Sequence, residues 1–321
     1  MESRTVAEPL HADEIPMDLP LVRALVDHAL PAYAALPLRP LGNTGSSNAL
    51  FRLGDDLLVR LPRQAGGSTA IDKEARWVPR VGPLLPAEVP SIVALGGPGH
   101  GYTERWSVVR WIPGNVPSSV GPEMPIDPIR GWLALDLAGV ISALRHVDVP
   151  AEALRDPALR SYRGDPLTTQ DAATRRGIEA CRAIPGLALD LDLDAVLRVW
   201  DDAVDLPGPD PEDTSRWYHG DLAAENLLVR DGRLAAVLDF GELSVGDPTV
   251  DLIAAWGVLD APAREVFRRS MDLDDASWLR GRAWALSLAV LTFPYYWRTM
   301  PARCASSLAM ARAVLDDAAS Q

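Results

Sequence analysis

Two short apolar runs, 227–229 (LLV) and 234–238 (LAAVL), flank the tetrapeptide Arg230-Asp231-Gly232-Arg233, and no other stretch constrains the chain as tightly. Asp-Gly tolerates positive φ at both central turn positions, so the two runs are expected to close as a β-hairpin. A hairpin brings together the residues just outside its strands. Here these are Asn226 and Asp239, with Asp221 on the loop before them. Carboxylate and amide oxygens are the hard donors that Mg²⁺ accepts beside water and phosphate. Asp and Asn also favour ordinary solvated turns, so each residue alone says little. The order and spacing of the three point to a site.

The surrounding text, HGDLAAEN followed by LDFG, matches the kinase pattern H-R-D-x-x-x-x-N then D-F-G at His219, Asp221, Asn226, Asp239, Phe240 and Gly241. It resembles the aminoglycoside phosphotransferase family, small-molecule kinases with a protein-kinase-like fold, from about Leu41 to the last helices. Gly220 stands where protein kinases carry Arg, the residue that contacts a phosphorylated activation loop. Gly246-Asp247-Pro248 and Asp251 follow Gly241 within about ten residues, as in that family. Both features argue against activation-loop control. Asp247 and Asp251 read as acids that cap or brace the catalytic loop.

The resemblance implies an α+β, bilobal fold: a small N-terminal lobe (1–111) with an antiparallel sheet and a helix, and a larger, mainly helical C-terminal lobe (112–321). In the first part, residues 1–16 read as a weakly ordered arm and 19–30 as a helix, since Leu21, Leu25, Val26 and Ala29 recur at helical spacing. NALFRL and LLVRL around Gly54-Asp55-Asp56 form a second predicted hairpin. The loop before it, 41–48, is small and polar enough for backbone N–H groups at Gly45, Ser46 and Ser47 to reach phosphate. Arg60 stands at the end of the strand position where V-A-I-K carries lysine, with Glu74 in the following helix as its expected partner. Guanidinium stays cationic but its planar fork is no ammonium. Two readings stay open: Arg60 replaces the lysine in an active enzyme, or it marks a weakened site. Lys73, the one lysine of the chain, is rotated about 100° from Glu74 on the helix.

The run 106–114 reads as a buried strand ending in a bend, and it matches the family's inter-lobe hinge. There the Arg110 carbonyl and the Ile112 amide would read the nucleotide base, because Pro113 has no donor. From Pro128 a long helix is expected, with Ile129, Leu133, Leu137, Val140, Ile141 and Leu144 as its apolar stripe and His146 as a capping or packing residue. Residues 148–170 look like a surface excursion, followed by short helices at 178–184 and 193–204. The second carries Asp194, Asp201, Asp202 and Asp205, with Asp190, Asp192, Asp210, Glu212 and Asp213 beside it. This acidic face suits a cationic acceptor or plain solvation. The run Asp272, Asp274 and Asp275 offers the same choice. Helices are expected near 253–259, 263–269, 278–291 and 304–316. Trp284, Tyr295, Tyr296 and Trp297 serve either as core or as a stacking wall for an acceptor.

A net charge of −13 disfavours nonspecific binding to nucleic acid or anionic membranes. Cys181 and Cys304 lack metal-ligand spacing. The N-terminus has no apolar signal core and the longest apolar run, 283–297, is too short for a bilayer, so a cytoplasmic location is expected. The resemblance then implies a Mg²⁺-dependent kinase moving the γ-phosphate of ATP or GTP to a hydroxyl of a small molecule. Asp221 is the catalytic base and Asn226 and Asp239 the metal ligands. The first expected acceptor is an antibiotic of aminoglycoside, macrolide, peptide or nucleoside type. A metabolic kinase for choline, homoserine or a ketosamine, or a non-catalytic nucleotide-binding regulator, are the alternatives.

Overall fold

The computed structural model describes residues 10–42, 45–117, 129–208 and 213–320, and of Ile129 and Asp213 the backbone only. Residues 1–9 of the expected arm, Asn43 and Thr44 of the polar loop, Pro128 at the helix start, and Asp210 and Glu212 lie outside them. By backbone contacts the chain divides into two units, residues 1–79 with 90–112, and residues 80–89 with 113–321.

The first unit holds helix α1 (Leu19–Ala29) and strands β1 (Leu38–Pro40), β2 (Asn48–Leu53), β3 (Leu57–Pro62), β4 (Ile92–Gly96) and β5 (Trp106–Arg110). The strands make one antiparallel sheet in the order β1-β2-β3-β5-β4. Its tightest turn is Gly54, at φ +59°, where Leu53 pairs with Leu57. Asp18 caps α1 by accepting the Leu21 N–H at 2.9 Å. Val22, Leu25 and Val26 then pack with Phe51, Val59, Leu61 and Trp106 as the unit's core. Helix α2 (Ser68–Val81) starts against Glu104, which accepts from the Ser68 amide and hydroxyl at 2.9 and 2.7 Å.

Residues 10–15 correct the expectation of a loose arm. Leu10 and His11 are buried, the Ile15 amide donates to the Arg63 carbonyl at 2.6 Å, and Glu14 forms an ion pair with Arg63. Sequence periodicity is blind to such an arm because its partners lie 35 to 49 residues away.

The second unit is mainly helical: α3 (Ile129–His146), α4 (Ala151–Arg155), α5 (Asp171–Arg182), α6 (Leu187–Asp190), α7 (Leu193–Val204), α8 (Ala254–Gly257), α9 (Ala261–Met271), α10 (Asp275–Tyr296) and α11 (Pro301–Ala319). Two small antiparallel ladders sit among them, β6 (Arg216–Tyr218) with β9 (Ser244–Gly246), and β7 (Leu227–Arg230) with β8 (Arg233–Val237). Leu133, Leu137, Val140, Ile141 and Leu144 of α3 are buried, as their spacing predicts. His146 bonds the Ser142 carbonyl through Nδ1 at 2.7 Å, closing its own helix end. Cys181 and Cys304 are buried free thiols, and burial pushes Cys181 up to about 12.

Helix α5 is longer than the sequence suggested. A Cβ at Gly177 would stand 3.2 Å from Leu291, so the glycine permits a close crossing with α10 rather than ending the helix. The segment 148–170 runs largely along the surface, as expected, but it is anchored at three points. Ala153, Leu159 and Leu167 are buried, and one of its short 3₁₀ turns carries Arg163 back to Gly220 and Asp221.

Candidate active site

Asp231 and Gly232 take φ +53° and +76°, the turn that Asp-Gly was expected to make between β7 and β8. Beyond the last strand pair, Leu227 with Val237, the Leu238 N–H donates to the Asn226 carbonyl at 2.8 Å. The hairpin therefore draws Asn226 and Asp239 to one end. Asp239 sits in the left-handed region at φ +55°, and its carboxylate accepts the Gly241 N–H at 3.3 Å. That uncommon backbone turns the chain sharply where a ligand carboxylate is expected.

Asn226 Nδ2 donates to both the carbonyl and Oδ2 of Asp221, each at 2.9 Å. Asn226 Oδ1 is thus the oxygen left for a cation. His219, almost fully buried, clips the loop from within: its Nδ1 accepts the Asp221 N–H at 3.2 Å and its Nε2 meets the Leu238 carbonyl at 2.9 Å. A carbonyl only accepts, so the proton is assigned to Nε2. Asp251 braces the other side, accepting the His219 and Gly220 N–H groups at 2.8 and 2.7 Å, the role expected for it. Burial raises its carboxyl, against the pull of His219 and these two amides. Asp247 caps the following turn through the Thr249 N–H at 2.9 Å.

Gly220 has φ +86°, and a Cβ there would stand 2.9 Å from the Glu242 carbonyl oxygen. No arginine fits at this position. A guanidinium nevertheless reaches the loop from elsewhere: Arg163 Nη1 donates to Asp221 Oδ1 at 2.9 Å and to the Gly220 carbonyl. Desolvation alone would raise the Asp221 carboxyl, but Arg163, and after it Arg303, hold it below the usual range. The sequence reading missed Arg163, and its only local signal was an Arg-rich segment.

Asp221 also opens on a pocket of the second unit lined by Leu222, Ala224, Glu225, Ile253, Leu288, Thr292, Arg303 and Met310. Arg303 pairs with Glu225 at 3.2 Å. The aromatic wall suggested by sequence is not part of this lining. Trp284 is core, and Tyr295 is exposed. Nor do the described acids of the two runs line this pocket. Asp194 pairs with Arg182, Asp201 with Arg175 and Asp275 with Arg268, which is how a solvated face behaves.

In the first unit, Arg60 grips Glu74 of α2 through two bonds of 2.6 and 3.0 Å, both side chains being buried. Three carbonyls of the polar loop are tied back: Gly45 and Ser47 accept from Arg63 at 3.0 and 2.9 Å, and Ser46 meets His11 at 2.8 Å. In a trans peptide the following N–H points away from the carbonyl, so the Ser46 and Ser47 amides face away from Arg63 and His11. Between Arg110 and Ile112, the Trp111 N–H is committed to the Asp56 carbonyl at 2.8 Å.

The model of the phosphotransferase enzyme family matches residues 38–284. The chain belongs to this family. Comparison with curated proteins gives no match. Among solved structures the phosphotransferase is similar to the GDP complex of wild-type aminoglycoside 2′-phosphotransferase-IIIa, at TM-score 0.65 and 19% identity over 94% of this chain and 98% of that one. It is similar to the macrolide 2′-phosphotransferase MphH from Brachybacterium faecium, apoenzyme, at 0.57 and 24% over 91% and 97%. It is also similar to the streptomycin–ATP ternary complex of APH(2″)-IIa, at 0.57 and 15% over 86% and 91%. These likenesses establish the α+β, kinase-like fold that the sequence predicted. Among the described residues, no helix of this phosphotransferase is long and apolar enough to cross a membrane, and no cluster of three or more His, Cys, Asp or Glu is arranged to hold a metal by itself. A Mg²⁺ site sharing its ligands with phosphate and water needs no such cluster. The hard oxygens of Asn226 and Asp239 at one hairpin end fit that demand.

Proposed function

We propose that this phosphotransferase moves the γ-phosphoryl group of ATP or GTP to a hydroxyl of a small molecule, with Asp221 as the catalytic base. The observation that carries the reading is the Asp221 carboxylate, fixed by Asn226 on Oδ2 and lining a pocket beside Leu222, Ile253 and Leu288. Each of its oxygens keeps a further lone-pair site for an acceptor O–H.

Asn226 Oδ1 and the Asp239 carboxylate would hold Mg²⁺, which when bound neutralises phosphate charge. Arg60, steadied by Glu74, is assigned to the phosphates, and the amides of Ser46 and Ser47, with Gly45, to the same role. The Arg110 carbonyl and Ile112 amide are assigned to the base. As the acceptor oxygen bonds to phosphorus and the bridging P–O bond to the nucleoside diphosphate breaks, the hydroxyl proton passes to Asp221. A loose transition state leaves little charge on the acceptor oxygen until late, so positioning contributes most of the acceleration.

The acceptor we favour is an antibiotic, because the similar structures are those of aminoglycoside and macrolide phosphotransferases, so that expression confers resistance. Within that class, the apolar walls of Leu222, Ile253, Leu288 and Met310, with Glu225 already paired to Arg303, support a molecule with an apolar face, as in macrolides, over a polycation. A metabolic small-molecule kinase is the second reading, since the described pocket lining holds no acid beyond Asp221 and Glu225.

The test is phosphate transfer from ATP or GTP with Mg²⁺ to a panel of aminoglycosides, macrolides and metabolic alcohols. Asp221→Asn is expected to retain nucleotide binding and to lose about 10²- to 10⁴-fold in turnover. Near-normal turnover in that variant sinks the assignment. Nucleotide binding without transfer to any acceptor would instead favour a regulator.

A further inference from the structure

The segment Ser161-Tyr162-Arg163-Gly164 makes a single 3₁₀ turn, with the Ser161 hydroxyl accepting the Arg163 N–H at 3.4 Å. Close approach fixes its place. A Cβ on Gly164 would stand 2.6 Å from the Tyr218 hydroxyl, and a Cβ on Gly246 would stand 2.9 Å from the Gly164 carbonyl oxygen. That carbonyl accepts the Asp247 N–H at 3.1 Å, and the Tyr218 hydroxyl donates to the Ser161 carbonyl at 3.4 Å. The turn is thus pressed onto β6 and β9, the strands that lead into and out of the catalytic segment. Only glycine at 164 and 246 allows the approach.

The consequence is the delivery of one guanidinium. Arg163 Nη1 bonds Asp221 Oδ1 and the Gly220 carbonyl together, while Nε donates to the Tyr162 hydroxyl at 3.4 Å. The side chains of Arg163 and Asp221 are 15% and 22% exposed, so the pair is screened only in part. Asn226 holds the other oxygen, Oδ2. With a donor on each oxygen, the carboxylate plane cannot turn about its Cβ–Cγ bond without breaking one of the two contacts. We propose that Arg163 is a positioning residue for Asp221, fixing the carboxylate plane that receives the acceptor hydroxyl. The proposal rests on the phosphotransferase reading of Asp221. The usual place for an arginine on this loop is closed at Gly220, and the chain supplies the charge from 58 residues upstream.

Removing Arg163 leaves the carboxylate held at Oδ2 alone, and the hydroxyl meets a spread of orientations. Misplacement of this kind costs about 10²-fold in rate. The test compares Arg163→Met and Arg163→Lys, each in the wild-type and the Asp221→Asn backgrounds, using the best acceptor from the panel. Arg163→Met is expected to lower kcat about 10²-fold while the nucleotide KM stays within about twofold. Arg163→Lys is expected to recover about tenfold of that loss, because one ammonium can meet Oδ1 but lacks the planar fork. In the Asp221→Asn background, Arg163→Met should change the residual rate less than about twofold, since a residue acting through Asp221 has nothing left to position. A merely structural role predicts a fall in thermal stability, no rescue by lysine and the same loss in both backgrounds. That pattern overturns the proposal, as does a wild-type kcat in a folded Arg163→Met protein. If the wild-type protein transfers phosphate to nothing, the functional reading itself fails and this inference falls with it. An active wild type with an indifferent Arg163→Met variant refutes the inference alone.

Discussion

Replacing Glu74 by Gln probes whether Arg60 takes the place of a lysine. The Arg60 and Glu74 side chains are 8% and 5% exposed, and two bonds of 2.6 and 3.0 Å join them, so water screens neither charge. Breaking a buried ion pair at one partner costs about 3–5 kcal/mol, because the other charge stays buried without that counter-charge. Glutamine keeps the shape and one acceptor oxygen, which returns about 0.5–1.5 kcal/mol. The expected loss is therefore about 2–4 kcal/mol. Against a total of about 5–15 kcal/mol, the variant remains folded. Urea unfolding should show an earlier midpoint with an unchanged slope. The same variant should raise the KM for ATP or GTP about tenfold, or about 1.4 kcal/mol, as Arg60 loses its second anchor. Replacing both residues together, Arg60→Met with Glu74→Leu, separates the two effects: stability returns, since apolar pairs often match buried ion pairs, and nucleotide affinity does not. Equal urea midpoints for wild type and Glu74→Gln would refute the argument about the pair. A lowered midpoint with an unchanged KM would refute the assignment of Arg60 to phosphate.

Two further variants test the scaffold. Gly220→Ala forces a Cβ into a left-handed residue 2.9 Å from the Glu242 carbonyl oxygen, and should cost about 1–3 kcal/mol in a thermal or urea melt; a melt equal to wild type would mean that the loop relaxes freely. Asp136 receives Arg233 Nε at 2.8 Å and the Leu234 N–H at 3.0 Å, tying the β7–β8 hairpin to α3. Burial pushes its carboxyl up, but these donors and the Arg233 charge together hold it below the ordinary 3.8. A lowered carboxyl contributes stability above pH 3.8 that is lost as pH falls through its folded value. Asp136→Asn should therefore cost about 1 kcal/mol at pH 7, discounted because Arg233 is largely exposed, and the difference should close as pH falls through the lowered folded value of the carboxyl. A difference that persists in acid would show that packing, not charge, carries the contact.

What the sequence disclosed and what it hid differ in the range of the physics. The β7–β8 turn was legible because Asp231 and Gly232 carry their own backbone preference, and so was α3, whose stripe repeats every three or four residues. The brace of Asp251 was legible too, since Gly246-Asp247-Pro248 and Asp251 are part of the family resemblance. Arg163 was not. Its guanidinium is aimed by Gly164 and Gly246, and what those glycines contribute is the absence of a side chain facing Tyr218 and a carbonyl far along the chain. Gly177 shows the same blindness: by local propensity a glycine weakens a helix, yet here it lets α5 cross α10 closely and the helix continues. The pocket proposed for the acceptor lies beyond sequence for a related reason. Leu288 and Thr292 of α10 and Arg303 and Met310 of α11 line it, but α10 is buried over most of its circumference. Apolar residues on every face say that a helix is enclosed without saying by what. The carboxylate proposed to react is thus written locally, while its Arg163 partner and the pocket wall beside it arise only when distant segments pack. On the proposed reading, a substitution on α10 or α11 is therefore expected to change the acceptor while leaving HGDLAAEN and LDFG untouched.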